Sequence, residues 1–195
     1  MTRLKRWWLI GVTALFFVLA GCGQEIEDPL NWEIEPFEYM NQDEEMVSLD
    51  DLKGQVWMAD FVFTNCETIC PPMTYNMSKL NEALETEGVE GVQFVSFSVD
   101  PTVDTPDKMK AFMEGYDLSK ADWNFLTGYT QEEIEAFAKD NFKAYVFKPD
   151  EGTQVDHGTY FYLVGKDGKI MKAYQGFQNV PMEDIVNDIK ILQQS

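Results

Sequence analysis

One stretch of the chain decides the fold: Asp60-Phe61-Val62-Phe63-Thr64-Asn65-Cys66-Glu67-Thr68-Ile69-Cys70-Pro71-Pro72. Its first part completes an almost uninterrupted apolar run, residues 55–63, which is typical of a central strand covered on both faces. The two prolines at its end suit the first turn of a helix, where a backbone N–H lacks a partner in any case. The stretch therefore predicts a buried strand, a loop with two cysteines and the start of a helix.

Apolar periodicity on either side of this stretch predicts alternating strands and helices. The predicted strands of the main sheet are 55–63, 92–99, 123–126, 159–164 and 169–174. The predicted helices begin at residues with N-terminal signals, such as a proline or a capping box: Pro71, Pro106, Gln131 and Pro181. A short β-hairpin is expected over residues 37–49, and residues 145–157 are expected to be irregular.

This order of elements predicts an α/β protein with a central mixed sheet, helices on both faces and an added N-terminal β-hairpin. The cysteine pair after the first core strand and the hairpin late in the chain resemble those of a thioredoxin-like fold. The last two strands flank Lys166-Asp167-Gly168, and an Asp-Gly pair between apolar runs is typical of a tight hairpin. In such a fold, the cysteine loop and the segment entering that hairpin lie side by side. We therefore expect His157, the one histidine of the chain, to approach Cys66 and Cys70.

The charge of the chain excludes some classes of function. The chain has 34 acidic and 15 basic residues and a formal net charge of −19. Nucleic-acid binding needs a basic footprint, and docking on anionic lipid needs a polybasic face, so neither class fits. We interpret the acidic residues as a solvated surface that keeps the protein soluble.

The N-terminal residues are typical of an export signal. Three basic residues precede an apolar segment, 7–20, which runs into Leu19-Ala20-Gly21-Cys22, a sequence that resembles the bacterial lipobox. The apolar segment is shorter than the roughly 20 residues of a membrane-spanning helix, which favours cleavage over an uncleaved anchor. We therefore expect a protein that is lipid-anchored at Cys22 on the extracytoplasmic face of the bacterial cell membrane.

These signals divide the chain into segments with different roles. They are a lipoprotein signal peptide, an acidic tether and a domain, at residues 1–21, 22–36 and 37–195. If Cys22 carries the lipid, Cys66 and Cys70 remain as a pair, in an oxidising compartment where a disulfide bond can form.

Three interpretations of the cysteine pair are open at this point. The pair could be an inert disulfide, although so small a loop gains little entropic stabilisation. It could be redox-active in a thiol-disulfide oxidoreductase, although the usual spacing is Cys-x-x-Cys. Alternatively, two thiolates and the imidazole of His157 could bind a metal, because sulfur ligands select Cu(I) or Zn and imidazole suits Cu(II). Since Cys70 lies at a helix start, the helix dipole is expected to lower the pKa of its thiol.

Taken together, the motifs resemble those of the Sco/SenC family of copper-binding thioredoxin-like proteins. They are Cys66-x-x-x-Cys70-Pro71, Val99-Asp100-Pro101-x-x-Asp104-Thr105-Pro106 and Asp156-His157, and the similarity runs from Phe37 to the C-terminus. The resemblance implies a copper metallochaperone that binds one copper ion, as Cu(I) or Cu(II), through Cys66, Cys70 and His157. It also implies assistance in assembling the dinuclear copper (CuA) centre of cytochrome c oxidase. The implied partners are the copper-centre subunit of the oxidase and a thiol reductant or copper donor protein.

The resemblance leaves the chemistry of the protein open. Family members deliver copper, reduce the cysteines of the acceptor, or do both. A metallochaperone is favoured over an enzyme, and an extracytoplasmic thiol-disulfide oxidoreductase that uses Cys66 and Cys70 is the alternative. A peroxidase is suggested by Thr64-x-Cys66 alone.

Two further pairs of residues lie close to the cysteines in the predicted fold. Asp100 and Asp104 could supply an oxygen ligand or contact His157, although turn formation and helix capping also account for them. Met73 and Met77 carry thioethers that can bind Cu(I), but their helical spacing continues into an apolar face. We therefore interpret the two methionines as core residues.

Overall fold

The structure is a computed structural model that describes residues 25–116, 118 and 122–194. Its strands are β1 Trp32–Glu33, β2 Glu38–Met40, β3 Met46–Ser48, β4 Val56–Val62, β5 Val92–Ser98, β6 Trp123–Leu126, β7 Val146–Phe147, β8 Asp156–His157, β9 Tyr160–Val164 and β10 Lys169–Gln175. Its helices are α1 Leu49–Leu52, α2 Cys70–Thr86, α3 Pro106–Glu114, α4 Gln131–Phe142 and α5 Met182–Gln194. None of the helices within these ranges combines the length and the apolar composition that a bilayer-spanning segment requires.

Six strands form the central sheet, in the order β1-β10-β9-β4-β5-β6. β4, β5 and β6 are parallel, whereas β9 is antiparallel to β4, β10 to β9 and β1 to β10. Every residue of β4 is buried, as expected for a strand covered on both faces. Met73 and Met77 of α2 are buried in the same core, as predicted. The predicted mixed sheet is thus confirmed, and β4 leads directly into the cysteine loop.

Helices cover both faces of this sheet. On one face, Phe112 of α3 packs against Phe125 of β6, with ring centroids 5.9 Å apart. On the other face, Phe137 of α4 packs against Phe97 of β5 at 5.3 Å. Phe125 pairs with Ser96 in the sheet register, and successive residues of a strand point to opposite faces, so the two contacts lie on opposite sides. The thioredoxin-like arrangement predicted from the sequence is therefore confirmed.

Short-range signals in the sequence form the expected local structures. Thr130 and Glu133 make the capping box at the start of α4, and the Thr105 side chain accepts a hydrogen bond from the Lys108 amide in α3. β2 and β3 pair as the predicted N-terminal hairpin. Gly168 adopts a φ of 81° in the turn between β9 and β10, a conformation that glycine reaches without steric cost.

The segment before His157 is more ordered than predicted. Residues 145–157 were expected to be irregular, but they contain the antiparallel pair β7–β8, in which Val146 lies opposite His157. Each strand has only two residues, which is too short for apolar periodicity to reveal it. This pair fixes the position of His157 in the fold.

The packed domain also begins earlier than residue 37. β1 pairs with β10, and Ile26 and Ile34 are buried in the core. The amide of Leu30 donates a hydrogen bond to the Met171 carbonyl at 2.9 Å. Residues 25–36, which belong to the expected tether, therefore pack against the domain. They do so because Ile26 and Ile34, two apolar residues of this acidic segment, are buried in the core. The expected signal peptide and Cys22 lie outside the described residues.

Candidate metal centre

Cys66, Cys70 and His157 come together at the end of β4. Cys66 lies in the loop after β4, Cys70 is the first residue of α2, and His157 ends β8. One ligand atom from each lies within 4.8 Å of the other two. Among the described residues, these three form the one group of His, Cys, Asp or Glu side chains close enough to hold a metal ion. The expected approach of His157, 87 residues from Cys70, is thus observed.

The imidazole of His157 presents one nitrogen to the cysteines. Its Nδ1 lies 2.9 Å from the carbonyl oxygen of Gly158, and because a carbonyl only accepts, Nδ1 carries the proton. Nε2 therefore has a free lone pair, and it lies 3.3 Å from Sγ of Cys70. Metal-binding histidines are usually oriented in this way, by a hydrogen bond from the nitrogen that does not bind the metal.

Contacts between loops hold the histidine segment against the cysteine loop. The side-chain amide of Gln154 donates a hydrogen bond to the Asn65 carbonyl at 3.1 Å. The rings of Phe63 and His157 pack edge to face, with centroids 5.9 Å apart. Since Phe63 and Asn65 lie three residues and one residue before Cys66, these contacts set the distance between the imidazole and the thiols.

The two thiols differ in protonation. Sγ of Cys66 accepts a hydrogen bond from the Cys70 backbone N–H at 3.2 Å and so caps the start of α2, where Ile69 offers no side-chain cap. Hydrogen bonds from the Cys70 thiol and from backbone N–H groups lower the pKa of Cys66 to about 3. Cys70 is fully buried, and burial raises the pKa of its thiol.

The expectation that the helix dipole makes Cys70 the thiolate is therefore wrong. The N-terminus of α2 does stabilise a thiolate, but it is the sulfur of Cys66 that accepts the backbone N–H. For Cys70, burial dominates because no solvent reaches its sulfur and the neighbouring Cys66 thiolate also opposes a second negative charge.

Asp100 and Asp104 hold the loops around the site and do not belong to the metal-binding group. The buried carboxylate of Asp104 accepts hydrogen bonds from the Thr64 hydroxyl at 2.6 Å, the Thr64 amide at 3.2 Å and the Ser98 hydroxyl at 2.5 Å. Asp100 accepts a hydrogen bond from Nζ of Lys148 at 2.6 Å. Asp104 thus fixes the cysteine loop two residues before Cys66, a role that its turn and capping signals do not reveal.

Sequence reasoning did not assign a role to Asp60, a fully buried carboxyl group in β4. The Ser96 hydroxyl donates a hydrogen bond to its Oδ1 at 2.6 Å, and its Oδ2 has no hydrogen-bond partner within the described ranges. Burial raises the pKa of Asp60 to about 6, although the Ser96 hydrogen bond acts in the opposite direction. The signal in the sequence is a lone carboxyl group in an otherwise apolar strand.

A cleft of about 330 Å³ opens onto the site. Cys66 and His157 line it together with Tyr145, whereas Cys70 does not. Cys66 is 9% exposed and Cys70 is fully buried, so Cys66 is the cysteine that a molecule in the cleft can reach.

The fold and the site together define a class: thioredoxin-like proteins with two thiols and one imidazole placed to hold a metal ion. A family model described as SCO1/SenC matches residues 28–194. The chain therefore belongs to the SCO1/SenC family.

Three solved structures show how far the similarity extends. A SCO1/SenC family lipoprotein from Bacillus anthracis is 52% identical, with a TM-score of 0.83 over 86% of this chain and 99% of its own. BsSco is 54% identical, with a TM-score of 0.80 over 88% of this chain and 99% of its own. It is described as a member of the Sco family of cytochrome c oxidase assembly proteins and as having a disulfide switch. ScoI of Bradyrhizobium japonicum, solved with copper bound, is 25% identical, with a TM-score of 0.68 over 82% and 99%.

Proposed function

We propose that this protein binds one copper ion through Cys66, Cys70 and His157 and assists assembly of the dinuclear copper centre of cytochrome c oxidase. The observation that carries the proposal is the convergence of two sulfur atoms and an imidazole nitrogen within 4.8 Å. Thiolates select Cu(I) and imidazole suits Cu(II), so the donor set fits both oxidation states. The copper-bound structure of the B. japonicum relative and the description of BsSco as a member of a family of oxidase assembly proteins support it.

The three side chains would contribute differently to copper binding. The lowered pKa of Cys66, about 3, favours its thiolate in the reduced protein, and Nε2 of His157 presents a lone pair. Cys70 must lose its proton, because a thiolate is the form that binds a metal. Copper binding is therefore expected to release about one proton, from Cys70, because the other two ligand atoms can bind the metal without losing a proton.

We also propose that Cys22 carries a lipid that anchors the domain on the extracytoplasmic face of the cell membrane. The lipobox-like sequence Leu19-Ala20-Gly21-Cys22 supports this, and the B. anthracis relative is described as a lipoprotein. Such an anchor would hold the domain beside a membrane-bound oxidase. Mass spectrometry of the native N-terminus is expected to show lipid-modified Cys22, and an intact Met1 or an unmodified Cys22 would reject the anchor.

Copper titration of the reduced and oxidised protein, followed by absorption spectroscopy, tests the three-ligand site. The reduced protein is expected to bind one equivalent and the oxidised protein almost none, because a disulfide removes both sulfur ligands. His157→Ala is expected to lose most of the copper affinity. Cys22→Ser, which replaces the third cysteine of the chain, is the matched control and is expected to bind as the wild type does.

An unchanged Cu(II) affinity and spectrum in His157→Ala would reject the site. The alternative, a thiol-disulfide oxidoreductase that reduces the cysteines of the oxidase or of other exported proteins, would then explain the pair better. That alternative requires that a variant with Cys66 or Cys70 replaced traps a mixed disulfide with its partner, and that His157 is dispensable.

A further inference from the structure

Exposed aromatic side chains cluster beside the candidate metal centre. Within the described ranges, five large hydrophobic side chains are exposed: Met46, Tyr75, Tyr145, Phe147 and Tyr160. The last three flank the segment that carries His157, and their exposed fractions are 63%, 46% and 45%. Single exposed apolar residues are common, but a group of them at one place marks an interaction site. The rings of Tyr145 and Phe147 are neighbours, and we call this pair the aromatic rim.

The β7–β8 pair holds the aromatic rim next to the histidine. Phe147 lies opposite Asp156 in the register, and the Tyr145 carbonyl accepts a hydrogen bond from the Gly158 amide at 3.0 Å. The rings of Tyr145 and Phe147 lie 6.4 Å apart. Because the backbone on both sides of His157 is paired with this segment, the aromatic rim is fixed relative to the imidazole.

The aromatic rim adjoins the cleft that opens onto Cys66. Tyr145 lines that cleft together with Cys66 and His157. Cys70 is buried and does not line the cleft, so a group that reaches Cys66 through this cleft passes beside Tyr145. A volume of about 330 Å³ admits a protruding loop with one or two side chains rather than a flat surface.

The same surface is acidic. Exposed carboxylates with no ion pair among the described residues lie in the cysteine loop and the β7–β8 hairpin: Glu67, Asp150, Glu151 and Asp156. Lys148 is the one lysine or arginine of residues 145–160, and Asp100 neutralises its ammonium group at 2.6 Å. The net charge of −19 extends this negative field over the molecule.

We propose that the aromatic rim is the docking surface for the protein that receives the metal, and that this recipient presents basic side chains around a protruding loop of metal ligands. The inference rests on the proposed function, since it names the surface through which that function's recipient is recognised. Exposed aromatic rings supply contact area and dominate the energetics of many interfaces. Carboxylates around them steer a basic partner and raise the rate of association.

Copper transfer kinetics test this inference. The full chain, loaded with copper, is mixed with the metal-free soluble copper-centre domain of cytochrome c oxidase, and transfer is followed by the absorption of the product. Tyr145→Ala/Phe147→Ala is expected to slow second-order transfer about tenfold or more. Its copper affinity, its spectrum and the rate at which a small chelator extracts the copper are expected to match those of the wild type, which shows that the site is intact.

Tyr75→Ala is the matched control. Tyr75 is 53% exposed on α2 and does not line the cleft, so its loss is expected to leave the transfer rate unchanged. Raising the salt concentration from about 0.05 to 0.5 M is expected to slow transfer by the wild type, because screening weakens the attraction of the acidic surface for a basic partner. Glu67→Gln/Asp156→Asn is expected to reduce this salt dependence.

The outcomes separate the inference from the proposed function. Equal transfer rates for the wild type and Tyr145→Ala/Phe147→Ala overturn the docking surface alone. A transfer rate that does not depend on salt overturns the basic character of the recipient. A wild-type protein that binds copper and yields none to the oxidase domain overturns the proposed function, and the docking surface with it.

Discussion

Cys66 and Cys70 carry the same thiol group but have different surroundings. Cys66 is 9% exposed, and its sulfur accepts a backbone N–H at the start of α2. The sulfur of Cys70 is fully buried. We therefore expect a single thiolate, on Cys66, in the reduced and metal-free protein.

The pH dependence of alkylation tests this assignment. With a pKa of about 3, Cys66 stays ionised at neutral and mildly acidic pH, so its reaction with iodoacetamide is expected to be nearly independent of pH between about 5 and 8. An ordinary thiol, such as glutathione measured in parallel, loses reactivity about tenfold per pH unit below its pKa. Peptide mapping is expected to place the label on Cys66. Labelling of Cys70 at a comparable rate would contradict the assignment.

Asp60 is expected to lower the stability of the reduced, metal-free protein at neutral pH. Its pKa is about 6 in the fold against an ordinary value of 3.8, so the folded state binds this proton more tightly than the unfolded state does. Stability is then greatest below the unfolded pKa and falls as the pH rises through 6. At higher pH the ionised carboxyl group costs on the order of 3 kcal/mol.

Replacing Asp60 by asparagine removes this titration. Asp60→Asn is expected to be more stable than the wild type by about 1–3 kcal/mol near pH 7.5, with the difference vanishing near pH 4. Denaturant unfolding at both pH values measures this difference in the free energy of unfolding. Asp150→Asn, at an exposed position, is the control and is expected to change little at either pH. A loss of stability in Asp60→Asn near pH 7.5 would show that the ionised form is favoured in the fold.

At the scale of elements, Asp104 connects the ends of the three parallel strands. Its carboxylate accepts hydrogen bonds from Thr64, just after β4, and from Ser98, at the end of β5. Its carbonyl accepts one from the Thr127 hydroxyl, just after β6, at 3.2 Å. The site lies where these strand ends meet, so Asp104 determines how firmly the cysteine loop is held.

An amide at position 104 cannot accept hydrogen bonds at both of its terminal atoms, so Asp104→Asn leaves Thr64 or Ser98 without an acceptor. We expect a loss of about 2–4 kcal/mol in the free energy of unfolding and a loss of about tenfold or more in copper affinity. Thr130→Ala removes the cap of α4 and is expected to cost about 1 kcal/mol while leaving the copper affinity unchanged. Denaturant unfolding and copper titration measure both quantities. An unchanged affinity in Asp104→Asn would show that the loop keeps its conformation without this carboxylate.

At the scale of the whole molecule, residues 25–36 complete the sheet and the core. β1 covers the edge of β10, and Ile26 and Ile34 are buried. The amide of Glu35 also donates a hydrogen bond to Oδ1 of Asn141 at 2.7 Å, which ties the segment to α4. The segment therefore contributes to the stability of the domain in addition to any function as a connection to the membrane.

Truncation measures this contribution. A chain that begins at residue 37 is expected to be about 3–5 kcal/mol less stable than one that begins at residue 25, because two isoleucines lose their burial. The exposed edge of β10 is also expected to promote association between chains. Denaturant unfolding compares the two chains under the same conditions. Equal stability would mean that residues 25–36 are only a tether.

The sequence by itself determined the architecture. The apolar run of β4, the capping box at Thr130 and the Asp167-Gly168 turn are local signals, and each predicts its element without knowledge of the rest of the fold. Their order predicted the thioredoxin-like fold, and the fold predicted that His157 approaches the cysteines. The copper ligands themselves stay a prediction for titration to test.

The tertiary structure decided the properties that depend on burial and on partners distant in the chain. The sequence pointed to Cys70 as the thiolate, but the extent of its burial is a property of the folded molecule and favours Cys66. Asp104 acts on Thr64 across 40 residues. Neither periodicity nor a turn signal encodes such a contact, because the two residues meet only when the parallel strands have assembled.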